Sequence, residues 1–212
     1  IFSNNNGKPI DQDPVALGKT AVESAKNSLE IRYSLLPYLY TLFYDAEAYG
    51  ETVARPLFFE FPKDKHSYDS ETQFLWGSAV MIMPVTEPGV RKLNAYFPTG
   101  KWYLYDLKNN YQTIESRGQN LTLDAPLGKI NVAIRGGTIL PILPPKQTTT
   151  QLRQQNFTLL CALNEKGLAS GKLYWDDGDT FDPIFQRKNA HVYFNVLDWV
   201  SNELINKLVN CL

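Results

Sequence analysis

The chain has 212 residues, 43% of them hydrophobic and 13% aromatic, with 21 Lys and Arg against 22 Asp and Glu. That is enough apolar material for one large domain or two to three small ones, and too much for a disordered chain. The balanced charge leaves no surplus with which to hold a nucleic acid or an anionic membrane surface, and the longest apolar runs, such as Leu35 to Phe43, fall well short of the roughly 20 residues that cross a bilayer, so neither partner is expected.

In chain order, Asp13 before Pro14 signals a helix start: an aspartate side chain caps free backbone N–H groups, and proline tolerates the first helical position. A longer run from about Thr20 to Tyr49 then carries two apolar stripes at spacings of three and four. One is Ile31, Leu35, Leu39, Leu42 or Phe43, and Ala46; the other is Tyr33, Leu36, Tyr40 and Tyr44. Two stripes predict a helix sandwiched between two layers and kinked at Pro37, with Gly50 ending it. "TVARPLFFEF" shows no polar alternation, as expected of a strand covered on both sides. "SETQFLWG" reads as a short helix capped by Ser70. From Ala79 the grammar changes: "AVMIMPV", "KLNAYFP", "KWYLYDL", "LTLDAP", "INVAI" and "TILPIL" are short strands spaced by turn residues, the pattern of a β-sandwich. "PPKQTTTQLRQQ", residues 144–155, reads as a linker, and the three or four strands beyond it are too few to close a second sandwich.

Candidate chemistry is sparse. Cys161 and Cys211 cannot build a disulfide framework, and His66 and His191 lie far apart without carboxylates at ligand spacing, so neither metal nor cofactor is expected. "WDDGDTFD", Trp175 to Asp182, invites a calcium or catalytic reading. Asp-Gly between two strand-like runs favours a hairpin turn, and the spacing misses that of a calcium loop. Glu60 reads as an ion-pair partner for an arginine such as Arg55 before it reads as a pocket carboxylate. Trp102, Tyr103, Tyr105 and Trp175 are more naturally sandwich core than a sugar platform. Asn120 and Asn156 stand in glycosylation sequons, which also arise by chance. Starting at Ile1, with neither a basic start nor an apolar leader, the sequence is expected to be a piece of a longer protein.

Five segments in order, "RYSLLPYLYTLFYDAEAYGETVARPLFFEFPKD", "QFLWGSAVMIMPV", "YFPTGKWY", "APLGKINVAIRGGTILP" and "LYWDDGD", resemble the C-terminal part of glycoside hydrolase family 31, the α-glucosidases of the lysosomal and intestinal maltase type. The resemblance implies a fold of α/β plus all-β class. Residues 1–77 would be the C-terminal end of a (β/α)8 barrel: the loop after strand 7, helix 7, "TVARPLFFEF" as strand 8 and a short helix 8. Residues 78–143 would be a proximal β-sandwich and 144–212 a truncated distal one.

It also implies a retaining enzyme that removes α-linked glucose from malto-oligosaccharides or glycogen, using two carboxylates about 5–5.5 Å apart. The family's catalytic aspartates belong to earlier barrel strands, so this chain is expected to lack its own catalytic pair and to depend on barrel elements upstream. One site position falls within it. The family motif F-S-R-N-H-N aligns with "FSNNNG", which places Asn6, or Asn5 with a shift of one, where a sugar-binding histidine stands; a polar turn near a chain end is the plainer reading of the same residues. A secretory or lysosomal compartment would suit the family and the sequons. A carbohydrate-binding module, or a non-catalytic relative acting as a scaffold, remain as alternatives. For the isolated chain, the apolar faces around Leu35, Leu39, Phe58 and Phe59 are expected to be bare.

Overall fold

The computed structural model describes residues 11–107, 111–181, 183, 186 and 188–196. Residues 13–17 form a turn in which Asp13 Oδ1 accepts the Val15 N–H at 2.9 Å. The helix start expected at Asp13 is thus only a turn, because Gly18, at φ 94°, takes the chain out of helical geometry before helix α1, Lys19–Ser34, begins. Helix α2 spans Leu36–Tyr49. The single kinked helix is therefore two, parted at Leu35: Pro37, which has no N–H, sits in the first turn of α2 where none is needed. Gly50 ends α2 in left-handed geometry, φ 72°, as its position in the sequence leads one to expect.

Two further expectations are corrected. "TVARPLFFEF" is not a long barrel strand. It gives a three-residue strand β1, Ala54–Pro56, and then one helical turn α3, Leu57–Glu60, which buries Leu57 and leaves Phe58 and Phe59 exposed. Pro56 cannot extend the ladder, and the Arg55 guanidinium closes the turn on Glu60 at 2.5 Å. "SETQFLWG" is not a helix. After a 3₁₀ turn at Lys65–Ser67, strand β2 covers Phe74–Trp76 and pairs antiparallel with β1, whereas barrel strands run parallel. The buried Gln73 side chain fixes this segment by exchanging hydrogen bonds with both the N–H and the carbonyl of Tyr96, at 2.8 and 2.9 Å.

The predicted strands follow as β3 (Val80–Met83), β4 (Lys92–Phe97) and β5 (Gly100–Leu104). β6 (Gln112–Ser116), absent from the sequence reading, precedes β7 (Gln119–Asp124), β8 (Asn131–Arg135) and β9 (Thr138–Ile142). The expected linker contains a short helix α4, Thr149–Arg153, capped by the Thr148 side chain and anchored by the buried Leu152. β10 (Thr158–Ala162), β11 (Ala169–Asp176) and β12 (Asn189–Val196) complete the described chain.

Among the described residues the strands form a six-stranded antiparallel sheet in the order β1-β2-β3-β8-β5-β6, a β4-β7 ribbon, and a four-stranded sheet β10-β9-β11-β12. The ribbon covers one face of the large sheet: Phe97 and Leu123 pack on Met81, Met83 and Trp102. Its other face receives the helices. Leu35, Tyr38, Leu39 and Leu42 are buried against Val80, Ile82, Val132 and Ile134, together with Leu140 and Ala162 of the four-stranded sheet. Leu35 and Leu39 are 1% and 5% exposed, so the expectation that they are bare is overturned for these two, while Phe58 and Phe59, at 46% and 52%, are exposed as expected. Each fully buried leucine contributes about 2 kcal/mol. Polar pins reinforce the wedge: Ser34 Oγ and Tyr105 Oη share a buried hydrogen bond of 2.9 Å, and Thr41 Oγ1 accepts the Tyr174 N–H at 3.0 Å. The two-stripe helix is sandwiched as its spacing predicts, here between two β-sheets.

Candidate functional site

Asn5 and Asn6, which the resemblance would align with a sugar-binding histidine, lie outside the described residues. The carboxylates that the sequence brings forward are described, and their surroundings decide what they can do.

At the end of β11 the chain turns through the Asp-Gly pair, with Gly178 at φ 77°. Asp176 points back into the molecule. Its side chain, 4% exposed, accepts hydrogen bonds from Tyr40 Oη of α2 at 2.7 and 2.9 Å, from Tyr174 Oη at 2.9 Å and from the Gly178 N–H at 2.9 Å. Arg153 of α4 approaches the same carboxylate and donates to the Asp176 carbonyl. The guanidinium also lies 4.2 Å from the Trp175 ring centroid, and Tyr44 stacks on Tyr174 at 4.1 Å. Burial, and then the Asp176 carboxylate, push Tyr40 up to about 12 and raise Tyr174 further, so both hydroxyls stay protonated donors.

Asp177 faces the other way. Its carboxylate accepts from the Thr180 side chain and from the Thr180 and Asp179 N–H groups, at 2.8 and 3.1 Å for the two amides, which hold it down at about 2. This is the expected hairpin turn. Among the described residues no group of three or more His, Cys, Asp or Glu side chains is placed to hold a metal ion.

Glu60 is similarly occupied. It pairs with Arg55 at 2.5 Å and with Arg135 at 3.3 Å, and Arg55 also reaches Glu51 at 3.2 Å. Both oxygens of this carboxylate are committed to guanidinium groups, Oε1 to Arg55 and Oε2 to Arg135, which is the arrangement of a structural ion pair. Asp176 and Glu60 therefore tie elements together. Their partners Arg153, Tyr40 and Arg135 escaped the sequence reading, since Tyr40 and Asp176 are 136 residues apart and no local pattern joins them. Trp102, Tyr103 and Tyr105 are buried in the core, as their strand spacing predicts, and Trp175 is half-buried. Asn120 and Asn156 are both exposed. No described helix is long and apolar enough to cross a membrane.

Comparison with known proteins gives two family-level matches: the TIM-barrel domain of glycosyl hydrolases family 31 over residues 1–42 and the glycosyl hydrolase family 31 C-terminal domain over residues 50–140. The second begins before β1, in keeping with β1 as part of the large antiparallel sheet. The chain is 40% identical over 223 aligned residues to lysosomal alpha-glucosidase of Rattus norvegicus, covering 98% of this chain and 23% of that protein. It is 42% identical over 210 residues to probable maltase-glucoamylase 2 of Homo sapiens, covering 98% of this chain and 8% of that protein. The crystal structure of a glucosidase II alpha subunit superposes with a TM-score of 0.80 at 28% identity, covering 87% of this chain and 20% of that one. The chain thus spans less than a quarter of the length of these relatives.

Proposed function

The chain belongs to glycosyl hydrolase family 31, as a C-terminal portion of it, and we propose that it is part of a retaining α-glucosidase that removes α-linked glucose from malto-oligosaccharides or glycogen. The observation that carries the reading is the 40% identity to a lysosomal alpha-glucosidase sustained over nearly the whole chain. The catalytic aspartates lie upstream, so the chain alone is inactive. Its contribution is structural: α1 and α2 are barrel helices, and the sheets behind them hold α2 in place through Leu35, Leu39 and the Asp176 cluster. Pairing of β2 with β3, and of β9 with β10, carries sheets across the boundaries proposed at residues 77/78 and 143/144. In the whole enzyme Asn6, or Asn5, donates its amide to a sugar hydroxyl in place of the histidine.

Expressing the longer open reading frame that contains this chain, and following a malto-oligosaccharide by NMR, tests the reading. Release of glucose with retained α-configuration is expected. An open reading frame without the two catalytic aspartates, and without hydrolysis, would instead favour a non-catalytic relative, the reading to which asparagine at the histidine position lends support.

A further inference from the structure

A cleft of about 480 Å³ opens between the C-terminal half of α2 and the two sheets. One wall is set by strand register: in the β11–β12 pair Lys172 stands opposite Tyr193 and Ser170 opposite Asn195, so all four share one sheet face. Lys172 Nζ reaches Asp45 Oδ1 on α2 at 2.6 Å, and Asp45 is 6% exposed. On the far side Arg55 is held by Glu60 and Glu51. The charged side chains that line the cleft, Asp45, Glu51, Arg55 and Lys172, are therefore mutually paired and sum to zero.

The uncharged groups are in the opposite condition. Ser78, Ser170 and Asn195 line the cleft and make no side-chain hydrogen bond to other described residues, which leaves two hydroxyls and one amide to donate and accept. Tyr193, 69% exposed, offers an aromatic face on the same wall. An anion would need an unpaired cation here, and a cation an unpaired carboxylate. An apolar ligand would find a better match in the groove beneath α1, which Leu17, Ala21, Leu29 and Trp76 line. A neutral polyhydroxylated ligand fits: its C–H faces stack on an aromatic ring while its hydroxyls exchange hydrogen bonds with serine and asparagine, and the volume lies within the usual range of about 300–1,000 Å³ for small-ligand sites.

We propose that this cleft binds a saccharide, and, resting on the α-glucosidase reading, that the saccharide is a segment of an α-linked glucan. The test uses the full-length protein that contains this chain, in native gels cast with and without glycogen, alongside hydrolysis of a chromogenic α-glucoside. Glycogen retards the parent protein. Tyr193→Ala and Asn195→Ala weaken that retardation at least tenfold in apparent Kd, Tyr193→Trp preserves it, and all three leave chromogenic hydrolysis and the melting temperature unchanged. Equal retardation of the parent and both alanine variants, or retardation by heparin in place of glycogen, overturns the proposal. Loss of chromogenic hydrolysis in the parent would refute the α-glucosidase reading instead, and glycogen retardation would still report on the cleft.

Discussion

Asp176 is one of the points at which the four-stranded sheet is fastened to α2, and its removal has a calculable cost. Asp176→Ala deletes the acceptor for Tyr40 Oη and Tyr174 Oη, at 2.7 and 2.9 Å, and takes away the carboxylate beside Arg153. A hydrogen bond to a charged partner contributes about 1.5–3 kcal/mol, so the two tyrosines alone predict a loss of about 3–6 kcal/mol. Tyr40→Phe removes one of these bonds and should cost about 1.5–3 kcal/mol in the parent and close to nothing in the Asp176→Ala background. The expected coupling is thus about 1.5–3 kcal/mol. Equilibrium urea unfolding reads it, with tryptophan fluorescence as the probe, since the Trp175 ring lies 5.8 Å from that of Tyr40. Additive losses, with a coupling below about 0.5 kcal/mol, would mean that the cluster does not act as a unit and would refute the reasoning.

Three other outcomes follow from the same structure. Leu35→Ala, at a fully buried position between the sheets, should cost about 3–4 kcal/mol by chemical denaturation, whereas Phe43→Ala, at 56% exposure, should cost under about 0.5 kcal/mol; equal losses would contradict the placement of the helix. Tyr40, Tyr96 and Tyr105 are each pushed to about 12, first by burial. Because these values lie above that of an unfolded tyrosine, about 10, the stabilisation is complete below pH 10 and is lost as pH rises from 10 through 12. Tyrosinate absorbance and near-UV circular dichroism should therefore change together in that window, and ionisation of every tyrosine near pH 10 with the fold intact would count against it. In a secretory host, Asn120→Gln and Asn156→Gln should each raise gel mobility by one glycan; parent protein unaffected by endoglycosidase would dismiss both sequons.

Much of the fold is legible in the sequence where one local rule acts unopposed. Gly50 stops α2 because the chain needs left-handed geometry there, and the twin apolar stripes of α2 place it between two layers whatever those layers are. The strands from Val80 to Ile142 follow from turn residues and short apolar runs. The misreadings come where tertiary contacts outweigh local pattern. "LFFE" carries strand-forming aromatics, yet the Arg55–Glu60 pair and Pro56 turn it into one helical loop. "QFLW" becomes a strand because Gln73 is pinned by Tyr96, 23 residues away. β6 has too few apolar residues to announce itself; only Ile114 and Ser116 are buried. The carboxylates were individually visible, but their roles depend on Arg153, Tyr40 and Arg135, which only the folded chain brings to them.

The most direct test is to incubate purified residues 1–212 with a chromogenic α-glucoside beside the longer protein. The proposed function predicts no release of chromophore above the blank from the short chain and robust release from the long one. Turnover by residues 1–212 alone would require a catalytic carboxylate pair within this chain and would contradict the assignment of Asp176 and Glu60 to structural ion pairs.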